Sequence, residues 1–308
     1  MSLKDFQQTT ALGPDALFLL ENATLDTRPG RYHEPKQIVI NALPLTKVPV
    51  AMRKMGWHTS AALMQRWFDS PGWQMPETWK NEKDQPAALG ISRFQCEENI
   101  VKMDWAMSFR RCQEAVAVAE SRITTPNAID RLKKLLENAG WQQIGMTQLG
   151  STSFSAREID TFSQVNFAEL GDLLDTLDDM YGALGQATVK VGVVGRTFSK
   201  EDPFTKIIRN HFRIEYLGFY IRDNYDFNGP QFLGIWALDR VMKKSETPVA
   251  TLASMGSLFS AGENQIALVT NGDFRNYRGK TGMGGDFVIY SDVLWKKVDQ
   301  VIDLGPPI

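Results

Sequence analysis

The sequence predicts an α+β protein, with a helical region over residues 37–150 followed by a β-rich α+β region over residues 151–308 whose sheet is mainly antiparallel. In the first half, apolar residues recur three and four positions apart, as in amphipathic helices. In the second half, short β-branched and aromatic runs are typical of strands. The 308 residues, 43% hydrophobic and 23% charged, have the composition of a globular protein rather than of a disordered chain.

The first half begins with residues 1–36, whose prolines and glycines show little periodicity and predict an irregular N-terminal arm. Gln37–Leu43 is rich enough in β-branched residues to predict a strand or an anchoring segment. A helix, Gly56 and a second helix follow, and Thr59 is suited to cap the second one. The helices predicted for this half are Val50–Met55, Thr59–Phe68, Glu97–Glu120 and a helix that Thr125 caps and Gly140 ends.

Residues 70–90 predict a long loop, because prolines and charges interrupt every apolar pattern there. Loops of this length are uncommon unless they pack or bind something. Trp73 and Trp79 give this loop apolar surface to bury. We therefore expect it to lie against the β-rich region or against a bound protein.

In the second half, a soft boundary near residue 150 separates helical from strand-like patterns. Gly171–Leu184 carries a leucine stripe and predicts a short acidic helix. Val293–Ile302 is compatible with either a helix or a strand. The predicted strands are residues 158–169, Thr188–Val194, Arg213–Ile221, Phe232–Leu238, Ile266–Val269 and Phe287–Tyr290.

Composition and charge exclude several classes of function. The net charge is −2, with +2 in the first 150 residues and −4 in the remainder, so the basic excess of a nucleic-acid-binding protein is missing. The longest apolar runs are far shorter than the ~20 residues of a transmembrane helix. The polar N-terminus predicts a protein that is cytoplasmic when made, and any export would use a system that needs no cleaved leader.

The cysteines and histidines predict no metal centre of their own. Cys96 and Cys112 match no zinc spacing and are expected to be small buried hydrophobes. His33, His58 and His211 are widely separated in sequence, which disfavours a histidine-rich site. His58, beside Gly56, is expected to be a local cap or a packed residue.

The chain lacks the common nucleotide-binding, zinc-protease and serine-hydrolase motifs, and its main chemical candidate is Ile221–Gly229, IRDNYDFNG. It follows an apolar strand and ends in a turn sequence, which brings Asp223, Tyr225 and Asp226 together. Two carboxylates and a phenol can deprotonate water, hold a divalent ion or orient a phosphate-bearing substrate. The alternative is an ordinary turn, in which Arg222 pairs with Asp223.

The Asp223-Asn224-Tyr225-Asp226 run resembles the D-x-Y-D core of the colicin M-like bacteriocin domain. That family cleaves lipid II between undecaprenol and its pyrophosphate and depends on magnesium. The resemblance implies that Asp223, Tyr225 and Asp226 are catalytic and that the two aspartates hold Mg²⁺. It departs from the family in one respect, because the family's following His-Arg pair is replaced here by Phe232-Leu233, with only Arg240 and His211 nearby.

A second candidate is the glycine-rich stretch after Asn271. Arg275, Arg278 and Lys280 precede a turn that contains four glycines and ends at Asp286. Basic side chains beside exposed backbone N–H groups form a phosphate cradle, so these three residues are candidates for binding substrate. Arg240, the nearby substitute for the missing His-Arg pair, is a fourth candidate. The alternative is a glycine-rich hairpin with surface cations.

Three longer stretches, Val48–Phe68, Phe219–Val241 and Asn271–Val293, together resemble an uncharacterised bacterial family encoded near type VI secretion components. That resemblance implies an antibacterial toxin or effector of this system but brings no established activity. The D-x-Y-D run adds the expectation of a metal-assisted hydrolase that acts on a phosphate ester or a lipid-linked diphosphate. The alternative is a non-enzymatic adaptor, chaperone or immunity-like protein. In either case a secretion-system or immunity protein is the expected partner, and the tryptophans of the first half serve as core anchors or as a docking groove.

Overall fold

The computed structural model describes residues 18–20, 38–80, 84–143, 145–172, 175–201, 203–229, 231–241 and 265–307. Its helices are α1 Val48–Lys54, α2 His58–Asp69, α3 Glu77–Lys80, α4 Met103–Ala106, α5 Arg110–Ser121, α6 Pro126–Asn138, α7 Ala156–Phe162, α8 Asp179–Leu184 and α9 Asn271–Thr281. Its strands are β1 Phe18–Leu20, β2 Ile38–Ala42, β3 Cys96–Glu97, β4 Gln148–Leu149, β5 Gln164–Leu170, β6 Ala187–Glu201, β7 Ile208–Tyr225, β8 Phe232–Ala237, β9 Gln265–Thr270, β10 Phe287–Tyr290 and β11 Leu294–Gly305. Helices dominate before residue 150 and strands after it, which confirms the predicted α+β class.

The larger sheet is built around the hairpin of β6 and β7, which pair in antiparallel register from Thr188 opposite Arg222 to Glu201 opposite Ile208. Strand β7 pairs with β11 and then with β10 along its other edge. On the far side of β6 lie β5 and β4, and β3 joins β10 in parallel. The sheet is therefore mostly antiparallel, as the sequence predicts.

A smaller sheet has the order β1-β2-β9-β8. Strands β2 and β9 are parallel, and the two outer pairs are antiparallel. Strand β2 confirms the strand expected in Gln37–Leu43. The irregular arm predicted for residues 1–36 lies outside the described residues except for Phe18–Leu20.

The main core lies between one face of the large sheet and the helices of the first half. It contains Trp67 and Leu132 from those helices and Phe212, Phe219 and Phe287 from the sheet, all buried. Residues on both sides of position 150 therefore share one core.

Helix α7 packs against the opposite face of the sheet, where Ile159 lies in a second cluster with Tyr220 and Tyr290. This approach is close, because a Cβ atom at Gly192 would lie 2.1 Å from the Ile159 side chain. In the described ranges, no helix combines the length and apolar character that a membrane crossing requires.

Several predicted elements are corrected by the structure. Residues 158–169 are not one strand: a capping box at Ser155 starts α7, and β5 begins only at Gln164. The single helix expected over Glu97–Glu120 is divided into β3, α4 and α5. Thr59 is not the cap of α2, which begins at His58; the Thr59 N–H donates to the Asp179 carboxylate instead.

Three further boundaries differ. Among the described residues of Gly171–Leu184, the expected acidic helix is α8. The segment at Val293–Ile302 is strand β11, and the strand expected to end at Ile221 continues to Tyr225. The last difference arises because β10 pairs with residues 222–225 of β7.

The loop after α2 lies against the second half, as predicted. The Gly72 N–H donates to the Gly282 carbonyl at 2.8 Å, and the Met75 N–H donates to the Asp286 carboxylate at 2.9 Å. Trp79 is buried in the second cluster. The described part of this loop is thus a fixed layer over the sheet, next to the predicted acidic residues.

Candidate functional site

Asp226 lies just beyond the end of β7 and has two partners within the chain. Its Oδ1 atom is 2.8 Å from the Lys80 ammonium and accepts the Asn228 N–H at 2.9 Å. The second contact closes the turn after β7, as the turn interpretation of this segment expects. A magnesium ion held by Asp226 would have to compete with the Lys80 ammonium.

Asp223 lies inside β7, opposite Ile289 of β10, and is half-buried. Its Oδ1 accepts the N–H of its neighbour Asn224 at 2.7 Å. Burial raises the pKa of the Asp223 carboxyl well above its ordinary value, and the nearby charge of Asp226 raises it further. The protonated form of Asp223 is thereby favoured.

Tyr225 contributes its ring to the main core. The ring stacks on Phe287 at a centroid distance of 4.9 Å, and its hydroxyl lies 3.7 Å from the Met64 sulfur. Burial raises the pKa of Tyr225 far above its ordinary value, so the phenol stays protonated. In the described part of the chain, no hydrogen bond joins the side chains of Asp223, Tyr225 and Asp226 to one another.

Arg222 does not pair with Asp223, contrary to the simple turn alternative. Successive residues of a strand alternate between its faces, so the two side chains lie on opposite sides of the sheet. The Arg222 Nε donates to the Tyr290 hydroxyl at 3.2 Å, and its Nη2 contacts Gln85.

Two of the predicted anion-binding cations are engaged with the chain itself. Arg275 Nη1 donates to the carbonyl oxygens of Phe227 and Gly229, both at 2.7 Å, and so braces the turn that follows Asp226. Arg278 donates to the Gly284 carbonyl at 2.6 Å and pairs with Asp286.

The other two predicted cations are exposed. Arg240 lies 3.7 Å from the Asp239 carboxylate, and Lys280 lies in the last turn of α9. Among the described residues, Arg275 is thus the one of these four cations that the structure shows in direct contact with the turn after Asp226.

The glycine-rich stretch does not form the expected exposed cradle. Residues 271–281 are helix α9, and the Gly284 and Gly285 N–H groups donate to the Ser70 and Trp67 carbonyls. Gly284 has φ +95°, and a Cβ atom there would lie 2.3 Å from the Trp67 ring. The loop is thus filled by the end of α2, which leaves no room for a phosphate among these N–H groups.

Asp286 is a structural carboxylate that sequence reasoning did not single out. It is 1% exposed and accepts hydrogen bonds from Trp67 Nε1 at 3.0 Å and from the Met75 N–H, besides its ion pair with Arg278. Burial raises the pKa of Asp286, although these donors oppose the shift. Asp286 thereby joins α2, the following loop and α9.

Asp160 of α7 forms a second buried polar network that the sequence did not reveal. Its carboxylate is 2.9 Å from the Lys190 ammonium and accepts the Tyr220 and Tyr290 hydroxyls at 2.6 and 2.8 Å. Burial opposes ionisation, but Lys190 and the two hydroxyls hold the pKa of Asp160 below its ordinary value. The network fastens α7 to the sheet and leaves no free acid–base pair.

A surface groove lies between α5 and the edge of β5, remote from these buried groups in sequence. Its volume is about 540 Å³, and an adjoining hollow of about 430 Å³ shares Arg111, Glu114 and Asp175 with it. The Arg111 guanidinium is paired with Asp178. This open groove differs from the Asp226 region, where the polar groups hold segments of the chain together.

The remaining candidates are also accounted for. Cys96 and Cys112 are free and buried, as expected, and burial raises the pKa of each to about 11. His58 is exposed at the start of α2, whereas His211 stacks on Phe198. In the described ranges, no group of three or more His, Cys, Asp or Glu side chains can hold a metal ion.

These features define an α+β protein with buried polar networks and an open surface groove. A family of unknown function (DUF6402) matches residues 43–304, and the chain belongs to this family. No curated protein and no solved structure is significantly similar to the chain.

Proposed function

We propose that this protein is a non-enzymatic accessory protein, an adaptor or chaperone that binds a partner of a type VI secretion system. The observation that carries the proposal is the Lys80–Asp226 ion pair, because an acid that must bind magnesium and activate water is here joined to an ammonium and to a turn N–H. Arg275 and Arg278 are likewise engaged with carbonyl oxygens. A partner that binds elsewhere on the surface would leave all these contacts intact.

One observation favours the alternative, an effector that cleaves a lipid-linked diphosphate. The half-buried Asp223 carboxyl has a raised pKa, which is the property of a general acid that protonates a leaving group. In this alternative Asp226 would hold Mg²⁺ after displacement of Lys80, and Asp223 would keep its proton for the leaving group, with Tyr225 beside them. The two functions make opposite predictions for cells that express the protein.

A growth assay distinguishes the accessory function from the effector function. The chain is expressed in susceptible bacteria, once in the cytoplasm and once with a leader that directs it to the periplasm. The accessory function predicts normal growth in both cases. Growth arrest that Asp226→Asn relieves, with the variant still folded and equally abundant, would favour the effector and overturn the proposal. Arg110→Gln, at an exposed position in α5, serves as the matched control.

A further inference from the structure

The groove between α5 and β5 has one helical wall and one strand wall. Arg111, Ala115 and Val118 of α5, with Arg122 directly after it, recur at helical spacing and face the groove. The opposite wall is the edge of β5 from Phe167 to Glu169, followed by Gly171. A groove open along a strand edge accommodates an extended chain better than a compact small molecule.

The edge of β5 is covered at its start and open at its end. Arg122 Nη1 donates to the Phe167 carbonyl at 3.0 Å, and the Phe167 N–H donates to the Asn166 side chain at 2.8 Å. These bonds show that the Phe167 backbone points away from β6. Strand alternation gives the Glu169 backbone, two residues on, the same direction, away from β6.

Two exposed apolar side chains flank this open end. Val118 of α5 is 40% exposed and Phe167 of β5 is 48% exposed. Ala168 and Leu170 face the main core, so strand alternation places Phe167 on the other side of the edge. An added strand directs alternate side chains to these two sides, so a ligand that alternates two residue types presents one type to Val118 and the other to Phe167 and Glu169.

The charges of the groove favour a ligand that carries a positive charge. Its cations are engaged, Arg111 with Asp178 and Arg122 with the Phe167 carbonyl. Glu169 is exposed beside the open backbone groups and has no ion pair among the described residues. A lysine or arginine of the ligand is the complement of this carboxylate.

We propose that this groove binds a short extended peptide segment of a partner protein, in which basic and apolar residues alternate, as a strand added to the edge of β5. The inference rests on the proposed accessory function and names the chemistry of the partner. Main-chain hydrogen bonds to Glu169 supply part of the affinity, and apolar contacts with Val118 on one side and the charge of Glu169 on the other supply the rest.

The test uses the full chain and a fluorescein-labelled five-residue peptide that alternates lysine and valine. Fluorescence anisotropy measures its binding to the wild type, to Val118→Asp and to Val301→Asp, a matched control at a 51% exposed position of β11. We expect saturable binding by the wild type, about tenfold weaker binding by Val118→Asp and less than about a twofold change for Val301→Asp. Glu169→Lys should transfer the preference to a peptide that alternates glutamate and valine.

A second peptide, N-methylated at alternate backbone nitrogens, tests the added strand, and it should bind about tenfold more weakly. The proposal is overturned by absence of saturable binding, by equal effects of the Val118 and Val301 variants, or by equal binding of the N-methylated peptide. These outcomes leave the growth assay untouched. Toxicity relieved by Asp226→Asn would instead refute the accessory function even if the peptide binds.

Discussion

The ion pair between Lys80 and Asp226 joins the segment after α2 to the turn after β7. Asp226 is 9% exposed and Lys80 is 27% exposed, so the pair lies between a surface ion pair and a fully buried one. We therefore expect Asp226→Asn to lower the free energy of unfolding by about 1–2 kcal/mol. The asparagine keeps the side-chain oxygen that accepts the Asn228 N–H, so the loss belongs to the ion pair.

A double-mutant cycle with Lys80→Gln isolates this interaction. Urea unfolding of the wild type, both single variants and the double variant should give a coupling energy of about 1–2 kcal/mol between Lys80 and Asp226. The matched control is the exposed helical pair Arg110–Glu114, for which we expect about 0.3–0.5 kcal/mol. A Lys80–Asp226 coupling no larger than that of the control would refute the structural role assigned to Asp226.

Three further substitutions test the buried contacts. Asp286→Asn puts an amide NH2 group where the carboxylate oxygens accept from Trp67, Met75 and Arg278, and it should cost about 3–5 kcal/mol in urea unfolding. Asp303→Asn, in an exposed pair, should cost less than about 1 kcal/mol. Gly284→Ala should destabilise the fold by at least about 2 kcal/mol, because Gly284 has a positive φ and the Trp67 indole fills the space that a Cβ atom would need. The control Gly279→Ala, where nothing lies near the added Cβ atom in α9, should be neutral or stabilising by up to about 1 kcal/mol. Asp223→Asn should stabilise the protein at pH 7, because the raised pKa means that ionisation of this carboxyl opposes folding. In unfolding measured from pH 7 downward the gain should fade towards the ordinary aspartate pKa of about 3.9, and a gain independent of pH would contradict the shift.

The sequence predicts the sheet well where local patterns suffice. The run Phe287–Tyr290 is a strand with the predicted bounds, because a run of four apolar residues is too short for a helix and fits a strand buried on both faces. The end of β7 could not be predicted locally, since residues 222–225 remain extended through pairing with a strand about sixty positions later in the chain. Strand length here is a property of the partner strand.

Helix α9 was open to prediction and was missed. The Asp273 carboxylate accepts the Thr270 N–H and hydroxyl at 2.8 and 2.7 Å, a capping signal three residues apart in the sequence. Gly282 ends the helix in the left-handed conformation. The glycines alone predict a turn, whereas the Thr270–Asp273 cap that precedes them predicts the helix.

The environment of the candidate site was less accessible to sequence reasoning. The contact between Asp226 and Asn228 follows from a local turn signal. The partners that decide the chemistry are distant: Lys80 is far upstream of Asp226, and Asp286 meets the Trp67 indole across most of the chain. Only the tertiary fold shows that these charges are already engaged.

The most direct test of the account is an assay of the reaction that the alternative function requires. The purified full chain is incubated with lipid II and Mg²⁺, and chromatography follows release of the diphosphate-bearing head group. The accessory function predicts no release above that of heat-inactivated protein and no difference between the wild type and Asp226→Asn. Magnesium-dependent release that Asp226→Asn abolishes, in a variant shown to be folded, would contradict it.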